Sequence, residues 1–236
     1  MWSSRTGVER RQHRRGALPV AAVLFRKQKA IGRFDVCDLS AGGVMLTGRR
    51  EVAPDEPVRV LLPLPGREPL VIEGRVVRTS RGPNQTNTLA IRFLSTVGTR
   101  ATIQDALDAP PGRCAPPEAS AVLVVMDEGH SRDHLVDRIA RVGRRALAAP
   151  TPLDAVRLLE DLRANIDAVV VDMRVGDLDG VDLMTYLEEE HPGVRRVLLR
   201  GELRPSAVGL MQASTFVHAF VADPSDEDAL RAALVP

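Results

Sequence analysis

The chain has 236 residues, 44% hydrophobic and 27% charged, enough for one large domain or two of ordinary size. That excludes a peptide, a disulfide miniprotein and a disordered tail. A formal net charge of +1, from 32 basic and 31 acidic residues, argues against a polyanion binder spread over the whole chain, and 3% aromatic content argues against stacking platforms for single-stranded nucleic acid.

An arginine-rich arm, Glu9-Arg10-Arg11-Gln12-His13-Arg14-Arg15, comes first. Short β-branched or apolar runs follow at 18–25, 32–38, 43–47, 57–64, 70–79 and 88–93, with turn signals at Pro65-Gly66 and Arg81-Gly82-Pro83-Asn84. Six strands at this spacing predict a small closed antiparallel β-barrel, followed by a short helix over 98–107. The stretch 109–119, with four prolines and a glycine, reads as a semi-rigid extended linker. It divides the chain into a domain at 1–108 and another at 120–236.

Past the linker the period changes. Strands are predicted at 121–126, 168–171, 194–199 and 216–221, and helices at 131–142, 152–163, 181–190, 205–213 and 226–234. Alternation of this kind predicts an α/β doubly wound, parallel five-stranded sheet covered on both faces, with its chemistry at the carboxyl ends of the strands.

The two cysteines, Cys37 and Cys114, have no partner at metal-ligand spacing and read as thiols of a reducing compartment. No stretch approaches the ~18 apolar residues of a membrane helix, and the amino-terminal arm lacks an apolar run behind its charges. A cytoplasmic protein without membrane insertion is the expectation. His13, His130, His134, His191 and His218 share no spacing that completes a metal site, and no nucleophile elbow or phosphate loop is present. Neither an enzyme nor a bound cofactor is expected.

Beyond Arg15, after 22 intervening residues, stands Asp38-Leu39-Ser40-Ala41-Gly42-Gly43. Arg11 and Arg15 followed by Asp38, Ser40 and Gly43 resemble the RxxxR and [DN]xSxxG motifs of the PilZ family, and the resemblance runs over residues 8–107. It implies a receptor for the bacterial second messenger cyclic di-GMP. The residue types suit that ligand. Forked guanidinium groups pair with phosphate oxygens or with guanine O6 and N7, a carboxylate accepts from guanine N–H donors, and a hydroxyl and a bare backbone complete the contact. Arg10 and Arg14 are secondary candidates. The competing reading of Asp38, Ser40 and Gly43 is ordinary turn chemistry, which leaves the paired arginines without a role. Nucleic acid is the competing use of the arm, and it is not the expected partner.

The run Ala121 to Glu128, then Asp167 to Met173 and Gly180, resembles the receiver domain of response regulators. Asp172 stands at the phosphoacceptor position and Asp127 matches one of the acidic pair that holds Mg²⁺. Met126 replaces the other acid, Arg200 the hydroxyl and Asp223 the lysine. Mg²⁺ requires oxygen ligands and Met126 has none; a carboxylate in place of the lysine repels developing phosphoryl charge. A degenerate, pseudo-receiver pocket is therefore expected, without Mg²⁺ and without phosphorylation of Asp172. Arg200 is expected to pair with Asp172, Asp127 or Asp223. Such a domain would present a protein-interaction surface, with 204–213 and 216–221 as the candidate face. The resemblances together imply a signalling adaptor acting on motility, biofilm or polysaccharide output. The alternatives are a phosphorylation-dependent response regulator with a PilZ output, and a PilZ adaptor that binds no nucleotide.

The near-zero charge is an average of opposites. Residues 1–112 hold 18 basic and 10 acidic residues, or +8, and residues 113–236 hold 14 and 21, or −7. The halves are expected to attract each other, with an anionic ligand competing for the arm.

Overall fold

The computed structural model describes residues 15–16, 20–64, 67–82, 86–94, 96–108, 119–161, 164–175, 178–199 and 217–235. The first domain is a barrel. After a two-residue strand β1 (Arg15–Gly16) come β2 (Ala21–Arg26), β3 (Lys29–Ser40), β4 (Gly43–Gly48), β5 (Pro57–Leu62), β6 (Leu70–Arg81) and β7 (Asn87–Phe93). These six pair antiparallel in the order β3-β2-β5-β6-β7-β4, and β4 pairs back onto β3 to close the cylinder. Closure leaves no long unpaired edge. Alternation along each strand sends Leu24, Phe34, Leu39, Leu46, Val60, Leu62 and Leu89 inward, each at most 1% exposed. Ile103 of α1 (Val97–Asp108) joins that core.

The strands β3 and β6 are longer than their sequence signals. Lys27 adopts a left-handed conformation (φ 55°), so a tight turn forms without glycine or asparagine and β3 starts at Lys29 rather than at 32.

The second domain runs β8 (Ala121–Val125), α2 (His130–Arg141), β9 (Arg145–Ala149), α3 (Pro152–Leu159), β10 (Ile166–Asp172), β11 (Arg174–Val175), β12 (Leu178–Asp179), α4 (Gly180–Glu190), β13 (Arg195–Leu199), β14 (Ala219–Val221) and α5 (Glu227–Leu234). Its five-stranded sheet is parallel, in the order β9-β8-β10-β13-β14. Leu135, Ile139, Leu230 and Leu234 cover one face, whereas Ala155, Val156, Leu183, Met184 and Leu187 cover the other. The fifth strand, β9, has no signal in the sequence: Arg-Ala-Leu-Ala-Ala lacks β-branched residues, and its pairing with β8 decides it. The helix predicted over 152–163 ends at Leu159, where Glu160 caps it and turns inward. The predicted helix at 205–213 and the linker residues 109–118 lie outside the described residues.

The two domains are docked. Val23, Phe25 and Leu61 point outward from β2 and β5, yet each is 0% exposed, because they form one apolar cluster with α3 and α4 of the second domain. Charge complementarity surrounds this seal. Lys29 pairs with Asp182 at 2.6 Å, Arg33 with Glu160 at 3.4 Å, and Arg50 with Glu189, while Glu68 of the barrel pairs in the opposite sense with Arg157 at 2.9 Å. The exposed pairs contribute ~0–1 kcal/mol each, so the buried apolar contact dominates.

Candidate functional site

Around the barrel, β4 and β7 lie opposite β2 and β5. The docking wall and the wall bearing the second sequence motif are therefore different faces. On the motif wall a cleft of about 410 Å³ opens among Asp38, Ser40, Gly43, Met45, Arg78 and Arg92. Its floor is the outward row of β3, β4, β6 and β7; the alternate residues Leu39, Val44 and Ile91 are buried in the core.

Each motif residue has a local reason for its position. Ser40 and Gly43 are paired across the closed end of the β3–β4 hairpin, and the Ser40 hydroxyl donates to the Gly43 carbonyl at 3.2 Å. A Cβ on Gly43 would stand 2.4 Å from the Ile91 carbonyl oxygen of β7. The glycine is thus required by strand-to-strand approach. The sequence offered two other accounts, closeness to a ligand and ordinary turn chemistry, and Gly43 is not in the positive-φ region that a turn glycine supplies. A bulge in β3 between Val36 and Asp38 turns Asp38 toward the cleft side of the hairpin.

The arm enters through β1, whose Arg15 is paired with Ser40 and Gly16 with Leu39. This brings the backbone of the first motif beside the second. Arg10, Arg11 and Arg14 lie outside the described residues. Two cleft arginines escaped the sequence reading. Arg92 is paired with Gly43 across β4–β7, and Arg78 with Ala90 across β6–β7; both are exposed. Alternation in Ile91-Arg92-Phe93 sets Arg92 on the outward row, whereas Arg78, three residues past outward Arg75, reaches it through a bulge in β6 between Val76 and Arg78 that no alternation signals. The added cations make the cleft suited to an anion with planar acceptor edges.

The acidic pocket expected from the receiver resemblance is built differently. Asp172 ends β10, Asp127 follows β8 and is exposed, and Asp223 follows β14. Gly180 packs so closely that a Cβ there would lie 2.4 Å from the Asp172 carbonyl oxygen. Met126 is 9% exposed and belongs to the apolar cluster beneath α2 and α5. The Asp223 carboxylate accepts from the Ser225 amide at 2.7 Å, and its bonds to Ser225 hold it below the usual carboxylate range. It is spent on a local turn. The donor set does not fit Mg²⁺: one ligand position is a buried thioether, and among the described residues no three His, Cys, Asp or Glu side chains converge as a metal site. Arg200, expected to pair with these carboxylates, lies outside the described residues.

A polar cluster of another kind lies between the domains. Glu160 is 5% exposed and receives Arg33 Nη2 at 3.4 Å, His191 Nε2 at 3.0 Å and the Tyr186 hydroxyl at 3.3 Å. Burial, then the charge of Glu160, push the Tyr186 phenol far above its ordinary value, so the hydroxyl stays protonated and donates. Nothing in the local sequence marks Glu160, because its partners come from β3 of the barrel and from α4 and the residue just past it.

Fold and cleft together define a two-domain protein: a closed antiparallel barrel with an external arginine-lined cleft, docked to a doubly wound α/β domain whose 2-1-3-4-5 strand order is flavodoxin-like. Residues 9–108 match the family model of the PilZ domain, and the first domain of the chain is a PilZ domain. The chain is also 29% identical over 99 residues to the transcriptional regulatory protein GlrR of Escherichia coli K12, covering 41% of this chain and 21% of that protein. It thus spans about a fifth of the length of that relative. Among solved structures it is similar to the Bacillus subtilis inhibitor of motility MotI/DgrA, at TM-score 0.38 and 18% identity over 43% of this chain and 51% of that one. It is similar as well to a response regulator receiver domain from Clostridium thermocellum, at TM-score 0.42 and 20% identity over 49% of this chain and 90% of that one. No helix among the described residues is long and apolar enough to cross a membrane.

Proposed function

We propose that this chain is a cytoplasmic cyclic di-GMP-binding signalling adaptor, non-enzymatic, whose pseudo-receiver domain mediates protein interaction in the control of motility, biofilm or polysaccharide output. The observation that carries the reading is the cleft itself. Asp38, Ser40 and Gly43 share it with Arg78 and Arg92, and the strand of Arg15 runs directly beside Ser40. The ligand offers two phosphates for guanidinium groups and two guanine edges for a carboxylate. In this reading Arg11 and Arg15 clamp the ligand, Asp38 and Ser40 take guanine donors, Arg10 and Arg14 add charge, and Arg78 and Arg92 line the floor. Gly43 keeps the strands close enough for the cleft to exist.

Residues 1–108 act as the receptor, 109–119 as the connection and 120–236 as the pseudo-receiver domain. Its pocket of Asp172, Asp127, Asp223 and Arg200 does without Mg²⁺, as Met126 and the local bonding of Asp223 favour.

Calorimetry with cyclic di-GMP on the full chain and on Arg15→Ala tests the function. Saturable heat with the wild type, weakened by the substitution, is expected. No heat with the wild type removes the proposal, and unchanged binding by Arg15→Ala removes this site.

A further inference from the structure

The PilZ barrel and its neighbour touch on one wall while the cleft opens on another, yet a single hairpin belongs to both. The strand β3 is continuous from Lys29 to Ser40. Its first half carries Arg33, and its last residues, Asp38 and Ser40, line the cleft. The partner strand β4 starts at Gly43 in the cleft and runs to Gly48, two residues before Arg50. One end of the hairpin is thus ligand site, and the other end is docking contact.

The second domain grips that far end by main chain and side chain together. Glu190 Oε1 accepts from the Arg33 amide at 3.4 Å, and Glu160 Oε2 forms an ion pair with Arg33 Nη2 at 3.4 Å. Arg50 pairs with Glu189, and its stem lies 3.1 Å from where a Cβ on Gly32 would stand, a position also 3.7 Å from Glu190 Oε1. The acceptors belong to an awkward place for acids. Glu188, Glu189 and Glu190 close α4 with no basic residue in its last turn, where the helix dipole disfavours negative charge. Arg33 and Arg50 supply the missing cations from the other domain. Glu160 is buried, so its charge needs Arg33 there.

We propose that Glu160 and Glu190 are positioning residues for the cleft: by bracing Arg33 they pre-order the β3–β4 hairpin, and the docked second domain thereby raises the affinity of the barrel for its anionic ligand. The physical basis is conformational. A hairpin held at its open end samples fewer arrangements at its closed end, so less ordering is required when ligand engages Asp38, Ser40 and the β1 strand. Linkage makes the effect reciprocal, and bound ligand strengthens docking. The second domain is then a brace rather than a competitor. This inference rests on the reading of the cleft as a cyclic di-GMP site.

The test uses the full chain as wild type, Glu160→Gln and Glu190→Ala, with Glu227→Gln as a control that removes an ion pair to Arg141 on the far side of the second domain. Hydrogen exchange without ligand is measured on the amides of residues 38–45, and calorimetry is measured with cyclic di-GMP. Faster exchange at 38–45 and a rise in Kd of about fivefold or more are expected for both bracing variants, with neither for the control. Unchanged exchange at 38–45, or unchanged or tighter binding, overturns the brace. If Glu160→Gln does not fold, the half-buried Glu190→Ala carries the same test. Should the wild type bind no cyclic di-GMP while the hairpin amides still respond, the ligand reading fails and the mechanical brace stands. If binding is normal and neither variant changes it, the brace fails and the ligand reading stands.

Discussion

The backbone of Arg15 lies directly across from that of Ser40 in the antiparallel β1–β3 pair. The two motifs are 22 intervening residues apart in the chain and adjacent in space. In the proposed cyclic di-GMP site, a clamp assembled this way would need both strands, tying ligand affinity to the pairing as much as to the side chains. Replacing Arg15 with alanine is expected to weaken cyclic di-GMP binding by about 10- to 100-fold, the worth of one charge-assisted contact. Calorimetry at fixed salt measures it.

Arg92 stands opposite Gly43 and Arg78 opposite Ala90, both exposed on the cleft floor. Arg78→Ala and Arg92→Ala are each expected to weaken binding several-fold without lowering stability beyond about 0.5 kcal/mol, since neither side chain is in the core. Loss of binding without loss of melting temperature is the pattern to look for.

Gly43→Ala should act on the fold first. Its Cβ would meet the Ile91 carbonyl at 2.4 Å, and a main-chain oxygen cannot swing aside. A destabilisation of about 1–3 kcal/mol is expected, read by denaturant unfolding. Stability equal to wild type would return this glycine to a purely ligand-facing role.

Phe25 is fully buried only because the second domain covers it. Phe25→Ala is expected to cost about 3–5 kcal/mol and to loosen docking, visible as a larger radius of gyration in solution scattering. Interfaces sealed by apolar side chains hold domains together where polar ones permit motion.

Tyr186 gives a pH signature. Its folded-state value is raised above the ordinary 10.0 by burial first and by Glu160 second, so the folded state keeps a proton that the unfolded chain loses. The stabilisation is fully present below pH 10 and declines as pH rises beyond it. Tyr186→Phe should remove that alkaline decline, as followed by urea unfolding between pH 8 and about pH 11.

Much of the architecture was legible in the sequence because it is written in periods. Alternation in the barrel strands and the change to helical spacing past residue 120 both follow from which side of an element must be dry. Where local signal was absent the reading fell short. The strand β9, Arg-Ala-Leu-Ala-Ala, has no β-branched residue, and the turn at Lys27 has no turn residue.

The sequence by itself determined a barrel carrying two motifs, a doubly wound domain with carboxylates at its strand ends, and two halves of opposite charge. Tertiary structure decided how these meet. It set Arg78 and Arg92 beside Asp38, gave Gly43 its reason in the Ile91 carbonyl, and directed the opposite charges into a docking contact on the wall away from the cleft. It also made Glu160 the meeting point of Arg33, Tyr186 and His191. The physical reason is range. Periodicity and motif spacing report what a residue does for its own element, whereas a buried charge or a close backbone approach is defined by partners that only closure of the barrel and docking of the domains bring within reach.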